Sequence, residues 1–214
     1  MWTGTGRPTE SSGGRRSHGK IMRVGRLLEA DDCVLAVIDT QDGFLRKLPE
    51  DEAAAVVDRI RWLCRLAAWL GVPVVVTEEE PDENGQTATA VRAALAPGTV
   101  RHVKPIFALS ACPSILEDVT RPGRATVVLC GLETDVCVAQ SALGLLDAGT
   151  RIVVVEDAVA AAGAAHAQGL ARMARAGVEL LGVKGLGYEW LGTVERATAF
   201  AAASERDAPA GIVL

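Results

Sequence analysis

The chain of 214 residues has the length of one α/β domain with short tails. A net charge of −5 and a pI near 5.3 argue against a nucleic-acid binder, which carries a basic face, and no stretch approaches the ~18 uninterrupted apolar residues of a membrane span. With 49% hydrophobic but only 4% aromatic residues, the core must be aliphatic.

Residues 1–29 are rich in Gly, Ser, Thr and Arg and read as a mobile arm. Basic Arg15, Arg16 and Lys20 have no apolar segment behind them, so the arm is not read as a signal peptide. Its weak apolar set, Ile21, Val24, Leu27 and Leu28, is a candidate to pack on the domain or on a partner subunit. Five cysteines (Cys33, Cys64, Cys112, Cys130, Cys137) are scattered, odd in number and without a Cys-x-x-Cys pair. That pattern belongs to a reduced, cytoplasmic protein rather than to a disulfide scaffold or a zinc site.

The single domain is expected over residues 30–204, with 205–214 as a tail. Cys33 to Ile38 is six apolar residues in a row, the mark of a parallel strand buried on both faces, and it ends in Asp39. A carboxylate there lies at the carboxyl edge of the sheet, where ligands bind in open α/β folds. Glu50–Leu70 carries one apolar helical face (Val56, Ile60, Leu63, Leu66, Ala67) and stops at Gly71. A second buried strand runs from Val72 to Thr77, with Pro73 at its start. The acidic run 78–83 reads as a solvated loop, except that Glu78 leaves the strand directly and is a candidate to face the site.

A short helix is expected over 87–95 and a short strand over 100–104, ending in Lys104 with Phe107 just beyond. Residues 114–120 read as helix, and 125–130 as another buried strand. The strand runs through a turn into a helix that ends near Gly149, and Cys137 sits in its first turn, with Thr134 or Asp135 as the cap. The positive end of a helix dipole lowers a thiol pKa. Strands over 152–155 and 178–181 and helices over 164–176 and 190–203 complete the chain. Strands alternating with helices give a three-layer α/β/α domain with a mostly parallel sheet of about six strands.

Strand ends thus deliver Asp39, Lys104 and Cys137 to one edge. A thiol is a weak nucleophile until a base or a nearby cation activates it. Asp39 can take the proton, Lys104 can favour both anions, and backbone N–H groups at Glu133 and Cys137 can hold an oxyanion.

Asp39-x-Gln41-x-x-Phe44, Lys104 followed by Phe107, and Gly-Leu-Glu-Thr-Asp-Val-Cys-Val at 131–138 together resemble the isochorismatase-like cysteine hydrolases, over roughly residues 32–195. The resemblance implies an Asp39–Lys104–Cys137 triad, a cis peptide between Leu132 and Glu133, a homo-oligomer, and amide-type hydrolysis of a small molecule. Gln41, Phe44, Glu78 and Phe107 are the candidate pocket residues. Metal-dependent nicotinamidases of this family resemble one another in an Asp-x-His and a further His after the second strand. Here that place reads Thr77-Glu78-Glu79-Glu80-Pro81, and His18, His102 and His166 lack ligand spacing, so no metal and no cofactor are expected. The stretch 77–87 is similar to the metal-free branch of the family.

A nucleotide-binding fold fails on its fingerprint, because no Gly-x-Gly-x-x-Gly follows the first strand. Two alternatives stay open: a catalytically idle oligomeric binding protein, and a vinyl-ether hydrolase of the isochorismatase type. Tyr188 and Trp190 are candidate interface aromatics.

Overall fold

The structure is a computed structural model that describes Met1 and residues 26–121, 123–205 and 207–213. The arm residues Arg15, Arg16, His18, Lys20, Ile21 and Val24 lie outside the described residues. Of the apolar set, Leu28 is buried in the core and Leu27 is exposed.

In chain order the elements are β1 (Cys33–Ile38), α1 (Asp42–Leu45), α2 (Glu50–Leu70), β2 (Val74–Glu79), α3 (Pro81–Asn84), α4 (Thr89–Ala94), β3 (Arg101–Lys104), α5 (Pro113–Val119), β4 (Thr126–Leu132), α6 (Ala139–Asp147), β5 (Arg151–Ala160), α7 (Ala164–Ala176), β6 (Glu179–Leu181), α8 (Val183–Leu191) and α9 (Val194–Ala203). Short 3-10 turns lie at Ala30–Asp32 and Leu109–Ala111, and a π-helical turn, Thr134–Val138, leads into α6.

Six strands form one sheet in the order β3-β2-β1-β4-β5-β6, and every pairing is parallel. The first strand, β1, therefore lies inside the sheet with β4, the strand that leads to Cys137, beside it. All six residues of β1 and all seven of β4 are buried, because helices cover both faces. One layer is built on α2, α8 and α9 with Trp62, Leu63, Leu66, Trp190 and Phe200. The other is built on α5, α6 and α7 with Ile115, Leu145 and Met173.

Several elements depart from the sequence expectation. β2 runs to Glu79 instead of ending at Thr77, since pairing with β3 continues through Glu79↔Lys104. β5 runs through Glu156 and Asp157 to Ala160, with a register irregularity where it passes β4. The final helix is two, α8 and α9, because Gly192 takes a left-handed conformation (φ 71°) between them. Trp190 is a core residue and not an interface aromatic, whereas Tyr188 is exposed. The stretch beyond 204 is anchored: Asp207 pairs with Arg61 and Arg65, and Tyr188 donates to the Val213 carbonyl.

Candidate active site

Asp39 follows the last residue of β1, and its backbone is left-handed (φ 43°). Aspartate tolerates that conformation better than most residues, yet it still costs about 1–3 kcal/mol. Two backbone hydrogen bonds hold it there: Asp39 N–H to the Thr77 carbonyl at 3.1 Å and Gln41 N–H to the Asp39 carbonyl at 2.8 Å. The carboxylate is fully buried. Thr77 Oγ1 donates to Oδ1 at 2.7 Å, and Lys104 Nζ donates to Oδ2 at 2.6 Å.

Lys104 closes the edge strand β3 and is itself fully buried. Besides Asp39, its ammonium donates to the Ile106 carbonyl at 3.0 Å and lies 3.8 Å from Glu79 Oε2. A buried ammonium is tolerated only when paired and hydrogen-bonded in this way.

Cys137 enters from the π-helical turn after β4. Gly131 makes the approach feasible: at φ +119° a Cβ there would stand 1.9 Å from the Ile38 carbonyl oxygen, so only glycine lets β4 pass the end of β1. The Leu132–Glu133 peptide is cis, as the resemblance implied. The expected side-chain cap is not made. Thr134 Oγ1 instead pairs with His166 Nδ1 on α7 at 3.0 Å. Gly169 brings α7 against the turn, since a Cβ there would meet Asp135 Cα at 2.8 Å.

Sequence reasoning missed Glu79. Residues two apart on a strand share a face, so Thr77 and Glu79 both point at Asp39 and Cys137, and Glu78 points away. Cys137 Sγ donates to Glu79 Oε2 at 3.0 Å, and ligand atoms of Asp39, Glu79 and Cys137 lie within 4.8 Å of one another. The expected Glu78 instead accepts from Thr87 N–H and Oγ1 at 2.9 and 2.7 Å and faces Arg101. The signal that could have found Glu79 is its parity with Thr77, once β2 is extended by two residues.

Gln41, expected in the pocket lining, is a buried brace. Its side chain donates to the Glu79 and Gly85 carbonyls and accepts from Glu79 N–H at 2.7 Å, so the amide is fully engaged. Phe44 is buried on α1 beneath Lys47, whose Nζ lies 4.6 Å from the ring centroid. That lysine also pairs with Glu133 Oε2 at 3.0 Å, which ties the end of α1 to the turn that carries Cys137. Phe107 is about half exposed beyond β3.

The electrostatics correct one expectation. Burial pushes the Cys137 thiol well above its usual range, the Asp39 charge adds to this, and Lys104 only partly opposes it. The dipole of one short turn does not outweigh a 2%-exposed position beside two carboxylates. Both influences favour the neutral thiol, in keeping with its hydrogen bond to Glu79. Burial likewise raises the Asp39 carboxyl against the pull of Lys104 and Thr77.

Asp39, Glu79 and Cys137 are the one group of three prospective metal ligands among the described residues. Lys104 Nζ lies 2.6 Å from Asp39 and 3.8 Å from Glu79, in the place a cation would take. A divalent ion would face that ammonium at close range, so the donor set does not fit one.

Comparison with known proteins follows the same lines. Residues 33–184 match the family model described as the isochorismatase domain. The chain is 32% identical over 136 residues to isochorismatase domain-containing protein 2 of Bos taurus, covering 63% of this chain and 62% of that one. It is 36% identical over 144 residues to the secreted isochorismatase effector Isc1 of Phytophthora sojae, covering 64% and 65%. The chain thus spans less than two thirds of the length of these curated relatives. Its fold is similar to that of the YcaC gene product of Escherichia coli, an octameric hydrolase of unknown specificity. There the TM-score is 0.75 at 22% identity, covering 85% of this chain and 90% of that one.

Proposed function

The chain belongs to the isochorismatase family, and from that premise we propose that it is a cysteine hydrolase cleaving the C–N bond of a small amide through a thioester on Cys137. The observation that carries this is a buried thiol hydrogen-bonded to Glu79 at 3.0 Å and within 4.8 Å of the Asp39 carboxylate, which a buried ammonium clamps. In a family of hydrolases, a buried thiol with a proton acceptor at hydrogen-bond distance is equipped for covalent catalysis.

In this scheme Asp39, kept in place by Lys104 and Thr77, is the base that takes the Cys137 proton as substrate binds. Sγ attacks the carbonyl carbon, and a C–S bond forms while the carbonyl π electrons move onto oxygen. The backbone N–H groups of Glu133 and Cys137 stabilise that oxyanion. Collapse breaks the C–N bond, and the amine leaves with the proton that Asp39 returns. Water then gives a proton to Asp39, attacks the thioester and releases a carboxylic acid, and the proton returns to sulfur. The neutral resting thiol fits this order, because Asp39 removes the proton only as the C–S bond forms, so no free thiolate has to persist in the buried site.

The small-molecule substrate, a homo-oligomeric state and a cytoplasmic location belong to the same proposal. All five cysteines are free, as a reducing compartment requires. Among the described residues no helix is long and apolar enough to cross a membrane. The octameric YcaC fold relative favours assembly. A panel of small primary amides, assayed for ammonia release by the wild type and by Cys137→Ala, tests the reading. Release that depends on Cys137 supports it, and undiminished release by the variant refutes it.

A further inference from the structure

Asp39 and Lys104 cancel each other at 2.6 Å, both with no side-chain exposure. Glu79 is left over. Its Oε2 lies 3.0 Å from the Cys137 sulfur and 3.8 Å from Lys104, and its side chain is 13% exposed. Of the three charged groups at the nucleophile it is the one that reaches solvent, so an arriving molecule meets it first. It is also held in place. Gln41 grips its backbone N–H and carbonyl at 2.7 and 2.9 Å, and Asn84 donates to the same carbonyl at 3.1 Å. Lys47 is itself paired with Glu133. Among the described residues, the site therefore carries one more carboxylate than it has cations beside the reacting sulfur.

We propose that Glu79 sets the substrate class: its carboxylate admits neutral or cationic amides and turns away molecules that carry an anionic group beside the scissile carbonyl. The inference rests on the hydrolase reading above and deepens it. In a site screened from water, two like charges a few ångströms apart repel far more strongly than in bulk solvent, whereas an ammonium on the substrate would find Glu79 as its partner. The vinyl-ether alternative is disfavoured on the same ground, because a substrate of the isochorismate type carries two carboxylates.

Three small methanethiosulfonates test this on the full chain without knowledge of the substrate: ethylammonium and ethylsulfonate, which share a two-carbon arm, and the smaller neutral methyl reagent. Peptide mass spectrometry follows Cys137, with Cys112, half-buried and remote in sequence, as the reference thiol in the same molecule. The expected cation-to-anion rate ratio at Cys137 is at least about tenfold that at Cys112, as one unpaired charge in a low-dielectric site implies. Glu79→Gln should bring it down to the Cys112 ratio, and Glu79→Asp should keep most of it. A ratio at Cys137 equal to that at Cys112, or one unchanged in Glu79→Gln, would overturn the charge gate and leave the hydrolase reading standing. Failure of Cys137 to react with any of the three while Cys112 reacts would overturn both.

Discussion

Replacing Lys104 by Met removes the one cation that offsets Asp39 among the described residues. The pair is fully buried at 2.6 Å, and Asp39 would keep Thr77 as its remaining strong donor. Removing one partner of a buried ion pair costs about 3–5 kcal/mol, because the other charge stays behind unpaired. For a chain of this size that is a fall in melting temperature of roughly 6–20 °C. Urea denaturation followed by circular dichroism at pH 7.5 measures it. The pH dependence has a definite sign. Burial already raises the Asp39 carboxyl, and loss of the ammonium raises it further. An acid whose folded pKa lies above its unfolded value destabilises the fold when ionised and ceases to do so as it takes a proton. The variant should therefore recover stability as the pH falls through the raised Asp39 pKa toward the ordinary value of 3.8. Adding Asp39→Asn should also recover part of the loss. A Lys104→Met protein within about 1 kcal/mol of wild type, or a double variant less stable than the single one, would refute the reasoning.

Thr77→Val leaves Asp39 Oδ1 without its donor and should cost about 1–3 kcal/mol in urea denaturation, with a fall in kcat for any amide found. Gly169→Ala forces a methyl to within 2.8 Å of the Asp135 backbone. It should destabilise by roughly 1–3 kcal/mol and slow acylation of Cys137, measured by single-turnover kinetics, because α7 pushes on the nucleophile turn. Four buried thiols have raised pKa values, Cys33 at about 11, Cys64 at about 12, and Cys130 and Cys137 above their ordinary value of 9.0. Unfolding releases protons from them above pH 9, so stability should fall from pH 9 to 11 and fall less steeply in Cys64→Ala; a flat profile would contradict the burial of these thiols.

The parts legible in the sequence are those dictated by local pattern. The apolar run of β1, the 21-residue α2 with its Gly71 stop and the 13-residue α7 follow from periodicity and caps. Asp39 and Cys137 were legible because each follows a buried strand and Lys104 because it closes the edge strand β3, and parallel strands align their carboxyl ends. Glu79 was not, because the acidic composition of 78–83 hides a strand whose pairing with β3 carries it two residues further. Gln41 illustrates a different limit: the sequence shows a polar residue beside the site, but only the fold shows that its amide is spent on Glu79 and Gly85. The direction of the thiol's pKa is not legible in the sequence for a related reason, since burial and neighbouring charges depend on contacts across the sheet. His166, without ligand spacing in the sequence, reaches Thr134 only because Gly169 lets α7 close on the turn.

The central claim is a covalent intermediate on Cys137. Its most direct test is acid-quenched mass spectrometry of the full chain, milliseconds to seconds after mixing with an activated small acyl compound such as a p-nitroanilide. The account predicts one acyl group, mapped to the Cys137 peptide, that decays as carboxylic acid appears and is absent in Cys137→Ala. Turnover with no adduct at Cys137, or with the adduct on Cys33, Cys64, Cys112 or Cys130, would contradict it.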